Sequence, residues 1–220
     1  MMLTDPKEIE IISRARQKNV RDHKRSRQHF VNIYDDFLQD VEFNGSRVID
    51  LGPGQYDFGV LATQRGASEI VGVDNDVAVL ELGEHKGFHV KEGRIQDINS
   101  DWFGKPFDGV FCKFALNCFW FWEDAPAQLE FVDRVASLVK PEGWAWIAPW
   151  NGAPKSANLG QSDIAKILDR QASQFKKHGF DAFNLTPELA VRYGVNGVVA
   201  NNAIFLKRLP LRVLSECKSL

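Results

Sequence analysis

Val48-Ile49-Asp50-Leu51-Gly52-Pro53-Gly54-Gln55-Tyr56-Asp57-Phe58-Gly59 is the stretch whose reading decides the fold of this chain. An apolar, β-branched run passes an acid and enters a glycine-rich turn, and a helical pattern resumes at Asp57. A strand, a tight turn and a helix in that order place a ligand site at the carboxyl edge of a sheet. Two glycines let the backbone approach whatever binds there.

The same alternation repeats downstream. Asn44-Gly45-Ser46 is a turn signal that marks the start of the core domain. Ile70 to Val73 reads as a second strand, ending in Asp74-Asn75-Asp76, with helices expected over 57–65 and 77–84. A third strand starts at Phe88, a loop runs from Gly93 to Ile98, and Phe107 to Cys112 is the fourth strand. Asp124 can cap a helix that has Pro126 in its first turn. Lys140-Pro141-Glu142-Gly143 is expected to stop that helix before a fifth strand, Trp144 to Ala148. A helix over 163–178 and strands over 180–185 and 198–206 follow, with a short helix, Pro187 to Tyr193, between those strands. Alternating strands and helices imply a parallel sheet covered by helices. The last two strands lack a long crossover and suit an antiparallel hairpin at the sheet edge.

The turn does not match a dinucleotide site. The Gly-x-Gly-x-x-Gly pattern would need glycine at position 57, where the chain has Asp57. An acid at the start of that helix repels a pyrophosphate. Asp74, 22 residues after Gly52, can accept hydrogen bonds from two ribose hydroxyls. Asp97 follows the third strand and can accept from an adenine amino group, with Ile98 against the ring. Three acids at three successive strand ends suit a nucleoside without phosphates.

These residues resemble the class I S-adenosylmethionine-dependent methyltransferases over roughly residues 45 to 207. The resemblance implies a three-layer, doubly wound α/β sandwich of the Rossmann-like methyltransferase kind. Its seven-stranded sheet would be mostly parallel with an antiparallel last strand. It implies a cofactor set of Asp50, Gly52, Pro53, Gly54, Tyr56, Asp74, Asn75, Asp97, Ile98 and Lys113 for S-adenosyl-L-methionine. Tyr56 stands where the family carries a third alternating glycine. It is expected beside the methionine part of the cofactor, or in a displaced loop.

Methyl transfer from a sulfonium depends mainly on alignment, because the leaving group is already activated. Acceptor contacts are therefore sought past the fourth and fifth strands. Asn117 is a candidate to orient the nucleophile, and Lys113 could meet a carboxylate. Phe119-Trp120-Phe121-Trp122, with Trp150 and Asn151, can line an apolar acceptor pocket or hold a cation. The chain has neither an Asn-Pro-Pro-aromatic segment nor an ordered Lys-Asp-Lys-Glu set, so it does not resemble the relatives that carry them.

Residues 1–43 read as a helical arm or lid, with Tyr34 a candidate catalytic contact, and 44–207 as the methyltransferase domain. Residues 208–220 form a tail. Arg14 to Arg27 holds seven Lys or Arg residues and one Asp, suited to a solvated helix face or to a guide for an acidic partner. The chain of 220 residues has 44% apolar and 25% charged content and a net charge of −2. Those values describe an ordinary globular protein with no global attraction to nucleic acid or anionic membranes. Three scattered cysteines without metal spacing, no apolar leader and no membrane-length run point to the cytoplasm. The five histidines have no ligand spacing, so no metal is expected. The expected acceptor is a small molecule. An RNA or protein methyltransferase, and a non-catalytic cofactor-binding module, are the alternatives.

Overall fold

In the computed structural model, residues 5–21, 31, 32, 34, 35, 38, 39, 41–113, 115, 116, 121, 123–148, 158–184 and 204–208 are described. The strands are β1 (Arg47–Leu51), β2 (Glu69–Asp74), β3 (His89–Glu92), β4 (Phe107–Lys113), β5 (Val139–Ala148), β6 (Phe180–Asn184) and β7 (Ile204–Arg208). Their hydrogen-bonded order is β3-β2-β1-β4-β5-β7-β6. The chain forms two units. One comprises residues 1–97 with 111–113, and the other 98–110 with 114–220.

In the first unit, β1 and β2 run parallel with Val48 opposite Ile70 and Leu51 opposite Val73. β3 runs parallel to β2, with Val71 opposite His89. Val48, Ile49, Leu51, Ile70, Val71 and Val73 are all buried, which explains why these strands read as continuous apolar runs rather than alternating ones. Helices α3 (Asp57–Gln64) and α4 (Val77–His85) follow β1 and β2. Asp76 caps α4 by accepting from the Ala78 N–H at 3.2 Å.

The helical arm expected over residues 1–43 is not one continuous helix, because its first helix ends at Ser13. Helix α1 (Pro6–Ser13) begins with Asp5 as its cap and Pro6 in its first turn. Its last turn is closed by the Arg14 N–H, which donates to the Ile11 and Ile12 carbonyls. Beyond the helix the Arg21 Nη1 donates to the Ala15 and Arg16 carbonyls at 2.6 and 3.0 Å. Chain resumes as the short α2 (Lys18–Arg21). Ile11, Ile12 and Ala15 pack against Ala78, Val79 and Leu82 of α4. The ion pairs Arg14–Glu81 (2.9 Å) and Lys86–Glu8 and the His85–Asp5 hydrogen bond (2.8 Å) flank that seam.

In the second unit, β7 runs antiparallel to β5, with Trp146 opposite Phe205. It also runs antiparallel to β6, with Ala182 opposite Leu206. β7 therefore lies between β5 and β6. Helices α5 (Ala125–Ser137) and α6 (Gln161–Lys177) pack on each other. They are joined by Asp133, which is bonded to Gln174 and His178 at 2.6 and 2.7 Å. The expected stop at Lys140 to Gly143 is corrected. α5 ends at Ser137, and the Lys-Pro-Glu-Gly segment lies inside β5, where Glu142 takes a left-handed φ of +66°. Gly143 lets that kink pass the neighbouring chain, since a β-carbon there would lie 2.8 Å from the Asp108 carbonyl. The helix expected over 187–193 lies outside the described residues.

The Asp124 side chain accepts from the Ala127 N–H at 3.0 Å, as its place before Pro126 suggests. Asp124→Ala is expected to cost about 1 kcal/mol, the usual worth of a helix cap. A lower urea midpoint with an unchanged slope is the observation that checks it.

Candidate functional site

The glycine turn closes on itself by backbone contacts. The Gly52 N–H donates to the Val73 carbonyl at 2.9 Å, and the Tyr56 N–H to the Pro53 carbonyl at 2.8 Å. Gly52, Gly54 and Tyr56 take left-handed φ values of +73°, +54° and +62°. The backbone therefore follows an alternating left-handed course in which only the third position has a side chain. A β-carbon at Gly54 would meet nothing within 4 Å, so the turn is open on that side.

Three carboxylates gather around this turn in the first unit. Asp50, buried in β1, is pushed well above the usual carboxylate range, first by burial and then by Asp57 and Asp74, with Lys113 opposing. Asp57 is buried in the first turn of α3. Asp74, half-buried at the end of β2, is raised by burial while the N–H groups of Asp76 and Asn75 hold it down. The Lys113 ammonium donates to the Tyr34 hydroxyl at 2.8 Å and lies 5.2 Å from its ring centre. Tyr34 is buried, sits edge-on to Phe111 at 5.0 Å, and has its phenol pushed up by burial, Asp57 and Asp50.

Comparison with known proteins follows the same line. No protein-family profile matches the chain. A ubiquinone biosynthesis O-methyltransferase from Albidiferax ferrireducens is 26% identical over 140 residues, 60% of this chain and 54% of that relative. The chain thus spans about half the length of the curated relative it matches. Among solved structures, an amino pentose methyltransferase from Micromonospora echinaspora superposes with a TM-score of 0.56. It has 13% identity, and the match covers 86% of this chain and 94% of that one. A magnesium protoporphyrin IX methyltransferase from Synechocystis PCC 6803 gives a TM-score of 0.54 at 16% identity, over 90% and 88% of the two chains. These matches show a Rossmann-like α/β methyltransferase fold.

Within this fold, the sites expected from sequence fall into three groups. Asp50, Gly52, Pro53, Gly54, Asp74, Lys113 and Tyr34 all belong to the first unit, as do the exposed Asn75 and Asp97. Asp97 ends a 3-10 turn and lies 3.7 Å from Arg94. Ile98 is fully buried, so its side chain serves the core of the second unit instead of an open ring-binding face. The Tyr56 side chain is fully buried between Gly72 and Gly83. Asn117, Phe119, Trp120, Trp150 and Asn151 lie outside the described residues.

Three contributors were missed. Asp76 accepts from the Arg16 N–H at 2.6 Å, besides capping α4. The Gln55 amide donates to the Val20 carbonyl at 2.9 Å. Arg16 also pulls against the upward shift of Asp74. Together they fasten residues 15–21 of the arm to the turn after β1 and to the end of β2. The cap position of Asp76 before Val77 was visible in sequence, but its second partner, 60 residues away, was not.

Proposed function

We propose that the chain transfers a methyl group from S-adenosyl-L-methionine to a small-molecule acceptor. The carrying observation is the open, doubly glycine-bearing turn with Asp50, Asp57 and Asp74 beside it and Lys113 and Arg16 opposing them. In this reading Asp74 accepts from the ribose hydroxyls, and the exposed Asn75 and Asp97 serve the adenine side. Pro53 and the Gly52 and Gly54 backbone form the cradle, and Lys113 meets the cofactor's carboxylate. When bound, the cofactor supplies a methyl group already activated on a sulfonium. The chain's part is then to align the acceptor and exclude water.

Residues 1–43 act as a cover for the acceptor, with Tyr34 as its contact, and Asn117 orients the nucleophile. Phe119, Trp120, Trp150 and Asn151 line the acceptor side. The relatives named for ubiquinone biosynthesis, an amino pentose and magnesium protoporphyrin support a small acceptor. The basic stretch gives less support to RNA than its composition suggests. Arg14 is paired with Glu81, and Arg21 bonds the Ala15 and Arg16 carbonyls. Among the described residues no helix is long and apolar enough to cross a membrane.

Calorimetry with S-adenosylmethionine and S-adenosylhomocysteine tests the cofactor. Micromolar binding is expected for the wild type. Asp74→Ala should weaken it about 10- to 100-fold, as expected for loss of charge-assisted hydrogen bonds. No binding by the wild type, or an unaffected Asp74→Ala, would defeat the reading. Methyl transfer to RNA or protein but to no small molecule would move the acceptor class.

A further inference from the structure

We infer that Tyr56 is a positioning residue for the cofactor turn: its side chain, wedged between Gly72 and Gly83, holds the third left-handed position where an alternating glycine would stand. The inference rests on reading the turn as the cofactor cradle. A left-handed φ of +62° is unfavourable for a residue with a side chain. Such a conformation persists where the surroundings over-determine it. Those surroundings are unusually specific here.

Gly72 lies in β2 and Gly83 in α4. A β-carbon at Gly72 would come within 2.6 Å of Tyr56 Cε1, and one at Gly83 within 2.6 Å of its Cζ. Both glycines are therefore the complement of one ring. The Phe88 ring stacks on the same tyrosine, with centres 5.3 Å apart and planes 29° apart. The hydroxyl makes no hydrogen bond among the described residues. The ring is thus held by shape alone.

The wedge also joins the turn to the arm. Tyr56 shares one buried cluster with Ile11, Ile12 and Ala15 of the arm and with Ala78, Val79 and Leu82 of α4. Val20 packs on that cluster, and its carbonyl receives the Gln55 amide beside Tyr56. A glycine at position 56 would relax the backbone but leave a slot between two other glycines. The turn and the arm would then lose their common anchor.

The test uses the full-length chain. Binding of S-adenosylhomocysteine is measured at a temperature where circular dichroism shows every variant folded. Amide exchange is measured without ligand. Tyr56→Phe keeps the shape and should bind within about twofold of the wild type. Tyr56→Gly should bind at least about tenfold more weakly although its backbone is freer. Gly83→Ala, which leaves the turn's own sequence intact, should do the same. Amides of residues 54–57 and 11–16 should exchange at least about tenfold faster in Tyr56→Gly.

A folded Tyr56→Gly with wild-type affinity and wild-type exchange overturns the inference. Where Tyr56→Gly does not fold, Gly83→Ala decides by the same two readings, and Tyr56→Leu, a smaller apolar wedge, decides after it. If the wild type itself does not bind, the cofactor reading fails. The exchange rates then still decide whether Tyr56 holds the turn.

Discussion

An Asp50→Asn chain is expected to be more stable than the wild type at neutral pH, by on the order of 2 kcal/mol, because folding buries this carboxyl and must hold a proton on it that the unfolded chain has released. Asp50 is buried, faces Asp57 and Asp74, and has Lys113 in opposition. Its carboxyl therefore keeps its proton well above the usual range. In the unfolded chain it ionises near the ordinary value of about 3.9. Between those two values the folded state binds more protons than the unfolded one, so stability falls as pH rises through the window. Asparagine does not titrate and removes that slope. Asp74 is shifted the same way and should leave a smaller remainder. Urea melts at about pH 5 and about pH 8 read both effects. A wild type equally stable at both, or a variant no more stable at the higher pH, would sink the argument. The same variant should bind S-adenosylmethionine more weakly, because the crowded acids that strain the fold are what a cation relieves. Stability retained at the expense of a site is a common exchange.

Local pattern carried much of this fold. The run Val48 to Leu51, the break at Gly52 and the resumption at Asp57 are each set by residues close in sequence, and β1 and α3 form there. The Asp124 cap is local too. What was not legible depends on distant partners. Tyr34 and Lys113, 79 residues apart, meet only because β4 ends beside the arm's residue. The orientation of Tyr56 is decided by Gly72 and Gly83, two glycines with no local signature. Asp57 was read as a repeller of phosphate, which its place supports, but its pressure on Asp50 and Tyr34 needed coordinates. The Lys140 to Gly143 error has a similar cause. Proline and glycine suggested a stop, whereas an edge-to-edge approach to Asp108 made them part of a strand.

Gly109→Ala should cost about 3 kcal/mol, at the upper end of what overpacking a core usually costs. Backbone preference alone predicts the opposite, because alanine in a strand is better than glycine by about 0.5–1 kcal/mol. The sign of the result therefore identifies the dominant effect. Gly109 lies in β4 opposite the indole of Trp144 in β5, and a β-carbon there would fall on the ring, 2.8 Å from its Nε1. Trp144 is buried and the ring has little room to retreat. Trp144→Leu alone should destabilise through the cavity it leaves. In the double variant the new methyl occupies part of that cavity, so the two losses should sum to less than their separate values. A coupling of about 1–2 kcal/mol is expected for groups in direct contact. Strict additivity in urea melts would mean that the ring does not constrain Gly109. The consequence reaches the site through β4 itself. Phe111 and Lys113 follow Gly109 on the same strand, and Lys113 meets Tyr34 at 2.8 Å. A strand pushed off by alanine at position 109 should lose that contact before it loses its fold. Cofactor affinity should accordingly fall in Gly109→Ala at temperatures where the chain is still native, and recover with Trp144→Leu.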